Sequence, residues 1–276
     1  MGLLNKIVFA GIDSSDYGIY ISGDGAFNAP VRRGELVSVP GRNGDIFFDE
    51  GTYENIEIEY PALCPGVTEK QFKDRLTSFR SAIVSRQGYQ RLEDTYHDDE
   101  FRLAIYKDGL EVEPKNVTRA GEFTLTFNCK PQRFLKSGED MILITQSRTL
   151  TNPTKFESMP IIKVRGNGYV NFTGVETSYS FMVSDNDDQI IIETEDAFSY
   201  YLGGDLYYLE DSNEEYIWDT LWRPIEVANG RDYVINAGSR ITFTDHIVPK
   251  LPAGQFNVGI SSDIISLEII PRWWRL

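Results

Sequence analysis

This chain has few of the residues that carry chemistry. Its 276 residues include two cysteines, Cys64 and Cys129, and two histidines, His97 and His246. Two thiols make neither a disulfide framework nor a zinc-finger set; they read as small core residues of a protein assembled in a reducing compartment. Two histidines leave few candidates for a proton relay. Walker-type loops, Gly-x-Ser-x-Gly elbows and His-Glu-x-x-His motifs are also absent. The sequence therefore predicts no catalytic residue, no metal site and no cofactor. His97-Asp98-Asp99-Glu100 lacks the glycine of a calcium loop and reads as a solvated turn, and Asp185, Asp187 and Asp188 read as an acidic loop. Glu193 and Glu195 would share one strand face about 7 Å apart, a spacing that also serves glycoside hydrolysis, but two glutamates on an exposed strand are the commoner case.

Long apolar runs are missing too: nothing approaches the roughly 20 residues of a membrane span, which excludes helical insertion. Residues 1–10 have no basic stretch ahead of their apolar ones and read as a first strand, not an export signal. Positive charge is scarce, with 27 Lys+Arg against 42 Asp+Glu and a net charge of −15. The excess is shared: 16 cations against 21 acids in residues 1–135, and 11 against 21 in residues 136–276. Such a surface repels phosphate, which disfavours sequence-specific nucleic-acid binding. It is compatible with a conduit through which DNA slides without sticking.

What is present is mostly strand. Ile56, Ile58 and Tyr60 alternate with Glu57 and Glu59, the period of a half-buried strand. Phe123, Leu125, Phe127 and Cys129 repeat it, as do Phe101, Leu103 and Ile105. Asp24-Gly25, Asn43-Gly44, Asp108-Gly109, Asn167-Gly168 and Asn229-Gly230 carry the residues that tight hairpin turns need. One helix is predicted, capped by Thr68 with Gln71 at capping-box spacing, striped by Phe72, Leu76, Phe79 and Ile83, and ended near Gly88. A boundary is expected around Asn152-Pro153-Thr154, giving a domain over 1–135, a linker over 136–159 and a second domain over 160–276. The second half holds short strands spaced as in a β-sandwich or jelly roll. All four tryptophans lie near the end: Trp218, Trp222, Trp273 and Trp274. They are candidates for glycan or partner contacts, with core packing the plainer reading of the first two.

Several short segments occur in a telling order. Val39-Pro40-Gly41-Arg42-Asn43-Gly44 opens a hairpin over 39–51, followed by an acidic, aromatic strand over 53–61. Then come Phe79-Arg80, Gly88-Tyr89, Leu92 with Asp94 and Tyr96, Phe101-Arg102, Phe127-Asn128-Cys129-Lys130-Pro131-Gln132-Arg133, and a terminal Trp273-Trp274-Arg275-Leu276. This order resembles the distal tail proteins of siphophages, strongly over 30–135 and weakly over 140–260. The resemblance implies a mainly β protein with two parts. One is an N-terminal tail-tube-like β-sandwich with one α-helix and a long hairpin; the other is a C-terminal galectin-like or jelly-roll sandwich. It implies a homohexameric ring at the tail tip, synthesised and assembled in the bacterial cytoplasm. Its partners would be the tail tube protein, a tail-associated fibre or lysin-like protein and a receptor-binding protein. In that setting the hairpin residues Arg42, Asn43, Asp45, Phe47 and Phe48 are the expected interface. A carbohydrate-binding adhesin acting through the tryptophan-bearing half is the alternative.

Overall fold

The structure is a computed structural model and describes residues 5–23, 26–65, 68–107, 112–115, 120–194, 198–203, 233–236, 241–244 and 247–276. The chain divides into two compact units, the first running to Arg133 and the second beginning at Phe134.

The first unit follows the alternation seen in the sequence. Strands β1 (Ile7–Phe9), β2 (Ile12–Asp13) and β3 (Tyr20–Ile21) precede a hairpin of β4 (Arg32–Val37) and β5 (Ile46–Tyr53). After β6 (Ile56–Pro65) and helix α1 (Glu69–Val84) come β7 (Gln90–Asp94), β8 (Glu100–Ile105), β9 (Val112–Lys115) and the long β10 (Ala120–Leu135). These pair in the order β2-β1-β7-β8-β10-β6-β3, with β9 also on β10. Ten residue pairs register β10 against β6, from Ala120↔Pro65 to Cys129↔Ile56. Every second one, including Ile58, Tyr60, Leu125 and Phe127, therefore faces the same interior. Phe127 is central to it, with Phe9, Tyr106 and Tyr60 rings 5.0, 5.3 and 6.1 Å away. Cys64 and Cys129 are buried free thiols, and burial pushes the Cys129 thiol up to about 12.

Helix α1 starts where its cap predicts, since Thr68 Oγ1 accepts from the Gln71 amide at 3.2 Å. Phe79 and Ile83 are buried in the core, and Phe72 and Leu76 pack against it half-buried. The helix ends at Val84, and Gly88, at φ 66°, turns the chain toward β7. It is the sole α-helix among the described residues.

In the second unit, β11 (Ile142–Ile144), β12 (Arg148–Asn152), β13 (Ile161–Thr173), β14 (Ser178–Glu193) and β15 (Phe198–Gly203) are followed by β16 (Tyr233–Asn236), β17 (Ile241–Phe243), β18 (Gly254–Ile260) and β19 (Ile264–Ile270). The main order is β11-β19-β13-β14-β15-β16, with β18 bridging β12 and β13 and β17 on β14. Residues 136–159, expected as a linker, supply β11 and β12 to this sheet. The Asn152-Pro153-Thr154 break is a tight turn inside the unit, where the buried Asn152 side chain accepts from the Thr154 amide at 2.9 Å.

Two turn readings also differ. Asn167-Gly168 lies inside β13: register slips between Arg165 and Gly166, and Gly166 and Gly168 take φ of 118° and 137°. Glycine there permits a strand irregularity, not a reversal. Asn43-Gly44 is not a two-residue turn either. Pairing stops at Val37↔Ile46, leaving a loop over 38–45 in which Gly41 and Gly44 both take positive φ. The turn pairs at 24–25, 108–109 and 229–230 lie outside the described residues.

Candidate functional site

The hairpin β4–β5 forms its own two-stranded sheet, hydrogen-bonded to no other strand among the described residues. Its register sets Leu36 opposite Phe47, Glu35 opposite Phe48 and Val37 opposite Ile46. Leu36 and Phe47 therefore point to one face, and Val37, Ile46 and Phe48 to the other. Leu36, Phe47 and Phe48 are 66, 46 and 58 % exposed. The Phe47 ring lies across Gly34, where an added Cβ would stand 2.4 Å from its Cζ. An Arg32–Asp49 ion pair and the Arg32 guanidinium, 5.6 Å from the Tyr53 ring centre, hold the base. The predicted tip residues Arg42, Asn43 and Asp45 are exposed beyond the last paired residues. An isolated two-stranded ribbon is marginal in water, and burying a Leu or Phe side chain gains roughly 1.5–3 kcal/mol each. A hairpin apolar on both faces is thus a surface made to be covered.

Where this arm leaves the body, a polar knot holds it. Asp94 ends β7 and accepts from Tyr60 Oη at 2.8 Å and from the amides of Tyr96 and His97 at 2.8 and 2.9 Å. His97 Nδ1 lies 3.1 Å from the same carboxylate, while its Nε2 lies 2.7 Å from Arg133 Nη1. Arg133 Nη2 donates to the Ala26 carbonyl at 2.9 Å and reaches that of Asn28 at 3.5 Å, which Arg102 Nη2 also reaches at 3.5 Å. The Phe27 ring sits 4.9 Å from the imidazole and 6.1 Å from the Tyr96 ring. Burial, then the neighbouring Arg133, lowers the Arg102 guanidinium, and burial followed by the Asp94 charge raises the Tyr60 phenol well above its ordinary range.

Sequence reasoning missed this knot. The alternation of Phe101, Leu103 and Ile105 implies that those residues face inward; Leu103 is buried, but so are Ala104 and the charged Glu100 and Arg102, while Phe101 and Ile105 are half-exposed. Phe101 instead lies under the Arg91 guanidinium, 3.9 Å away. The turn at 97–100 is likewise less solvated than expected, because His97 and Glu100 both fold into the protein. No cluster of three or more His, Cys, Asp or Glu among the described residues is arranged to hold a metal.

Of the candidate tryptophans, Trp273 is taken up by its own domain. Its indole is core, 6.4 Å from the Phe256 ring, because the Arg272 amide donates to Gly138 O and the Leu135 amide to Trp273 O, each at 2.8 Å. Trp274 stacks on Phe156 at 4.4 Å and donates Nε1–H to Glu157 O at 2.9 Å. Glu193 is buried on β14. Trp218, Trp222, Glu195 and His246 lie outside the described residues, as do the side chains of Asp185, Asp187 and Asp188.

The model of the phage tail protein RIFT-related domain matches residues 12–129, from β2 to within β10, and so takes in hairpin, helix and knot. This region is therefore similar to a phage tail protein RIFT-related domain. Around that region the likeness to solved structures extends to the whole chain. The SPP1 Dit protein, described as a paradigm of the hub adsorption apparatus in phages infecting Gram-positive bacteria, superposes with a TM-score of 0.64 at 12% identity, over 97% of this chain and 98% of that one. The phage P2 baseplate in its activated conformation with Ca gives 0.51 at 12% identity, over 98% of each chain. Its counterpart with Sr gives 0.50 at 12% identity, over 100% of this chain and 99% of that one. No curated protein matches by sequence. The chain thus shares the fold of these tail and baseplate proteins.

Proposed function

We propose that this chain is the structural hub of a siphophage baseplate. Six copies close into a ring at the distal end of the tail tube, joining the tube protein above to a tail-associated fibre or lysin-like protein and receptor-binding components below. The ring leaves a channel for DNA. Its work is assembly, with no reaction catalysed and no cofactor bound. The observation that carries this reading is the hairpin, which offers Leu36 and Phe47 on one face and Phe48 on the other, far outside any core of its own. A ring closes through heterologous contacts, one patch on each copy meeting a different patch on the next. An exposed ribbon that can add to or lie on a neighbour's sheet supplies one half of such a contact. The excess of carboxylates, net −15, suits a passage that must not retain phosphate.

Negative-stain images of the pure protein, alone and mixed with its tail partners, test the reading: rings with a central hole are expected. Removing the tip 42–46, or Arg42→Glu, is expected to lower the mass seen by light scattering while the circular dichroism spectrum stays that of a folded β protein. A compact particle that stays solitary even with tail partners present would falsify the hub.

A further inference from the structure

His97 is held between two partners that dictate its protonation. Asp94 can only accept, so the Nδ1 facing it at 3.1 Å carries the proton. Arg133 can only donate, so the Nε2 facing its Nη1 at 2.7 Å must be a lone pair. The same guanidinium holds the Ala26 carbonyl through Nη2 at 2.9 Å, six residues before the Gly34 side of the hairpin begins to pair at Arg32. Its closest charged alternative is Glu100 Oε2, at 3.7 Å from Nη1. The charged and titratable groups packed around the imidazole are therefore Asp94 from β7, Glu100 and Arg102 from β8, Arg133 from β10 and, through Asp94, Tyr60 from β6.

We propose that His97 is a pH-sensitive latch on the root of the hairpin: a second proton, on Nε2, expels Arg133 and frees the Ala26 carbonyl, leaving Asn28 to Arg102 alone. The step is a protonation from solvent with no bond made or broken elsewhere. Nε2 turns from acceptor to donor and confronts an N–H at hydrogen-bond distance, while the imidazolium keeps Asp94 on Nδ1. Arg133 swings toward Glu100 and gives up the Ala26 carbonyl. Charge stays paired throughout, Asp94 with His97 and Glu100 with Arg133, so the two arrangements are close alternatives and not a folded and an unfolded state. Acidification then loosens the arm's attachment while β6 and β10 stay intact. The latch itself needs only the single chain; its consequence for ring assembly rests on the hub reading.

The test is hydrogen exchange of the full chain from about pH 7.5 to about pH 5.5, the range in which histidines ordinarily titrate, with rates normalised to the chemical rate at each pH. Protection of residues 26–33 is expected to fall about tenfold or more at the acid end, with 56–65 and 123–129 unchanged. In His97→Gln, which keeps an acceptor but cannot be charged, protection is expected to stay flat. An unchanged wild type, or the same fall in His97→Gln, overturns the latch. Should His97→Gln lose its core protection, nitrogen NMR of the wild-type imidazole decides. Nε2 is expected bare at the neutral end and protonated at the acid end; a proton on Nε2 at both ends, or on neither, overturns it. Light scattering at the same pH values separates the two ideas, because an oligomer that never forms tells against the hub while flat exchange tells against the latch.

Discussion

Two antiparallel pairs in the first unit are built from similar residues and end differently. The β6–β10 pair alternates strictly, and its inward residues Ile58, Tyr60, Leu125 and Phe127 are fully covered. The β4–β5 pair carries Leu36, Phe47 and Phe48, equally apolar, on two faces that both meet solvent. The first pair makes the domain; the second needs something outside it. Strand signals say that a segment is extended, but only the faces to which its apolar residues point say whether it completes its own sheet or waits for another. Substitution of one phenylalanine in each pair separates these roles most sharply.

Phe127→Ala empties the centre of the core, where the Phe9, Tyr60 and Tyr106 rings converge. It is expected to cost about 3–5 kcal/mol of folding stability, read as a drop in the urea midpoint. Phe48→Ser, on the exposed face, should leave that midpoint within about 0.5 kcal/mol of wild type. It is instead expected to weaken self-association by about 2 kcal/mol, a shift of more than tenfold in dissociation constant by analytical ultracentrifugation or co-assembly. The reverse pattern, a destabilised fold with unaltered association, would make the hairpin a structural strap and not an arm.

Next in size is the polar seam between body and arm. Tyr60 belongs to β6 by its ring and to the knot by its hydroxyl, which donates to Asp94 at 2.8 Å. Tyr60→Phe keeps the packing and removes one of the donors on that carboxylate. A loss of about 1 kcal/mol is expected, since the Tyr96 and His97 amides continue to satisfy Asp94. No measurable change would mean that the seam contributes position and not stability.

How much of this was legible depends on which physics set each residue. The β6 and β10 alternation was readable because one face is buried and the other polar. The helix was readable because its cap and stripe are local. The same rule held only at Leu103 in β8, since it counts apolar residues and is blind to a charge that is buried because it is partnered: Glu100 and Arg102 go inside as well, beside Asp94, His97 and Arg133. That knot joins residues 36 positions apart at His97 and Arg133 and 107 apart at Ala26 and Arg133, and no sequence period carries such a contact. Which surface Trp273 docks on was not legible for a related reason, because the Gly138 carbonyl that holds the neighbouring Arg272 amide lies far away in sequence. The hairpin was legible as a candidate interface through resemblance and through its paired phenylalanines, though not the length of its 38–45 loop.

The smallest effect separates the arm from its latch by pH. Asp49 is held below the ordinary carboxylate range first by the hydrogen bond from Arg32, then by the Gly51 amide, both of them contacts within the hairpin base. A carboxyl depressed on folding stabilises the ribbon fully above its unfolded value of about 4, and that contribution is lost as pH falls through the lower folded value. This window lies below the pH range of the latch test, so in a His97→Gln background the base should hold to about pH 4 and loosen only beneath it. Both partners are largely exposed, so the effect is small and shrinks with added salt. Asp49→Asn should remove the remaining acid dependence of exchange at 32–37 and 46–53. If the acid dependence survives that substitution, the ribbon is held at its base by something other than this ion pair, and the contrast with the β6–β10 pair would have to rest on apolar burial alone.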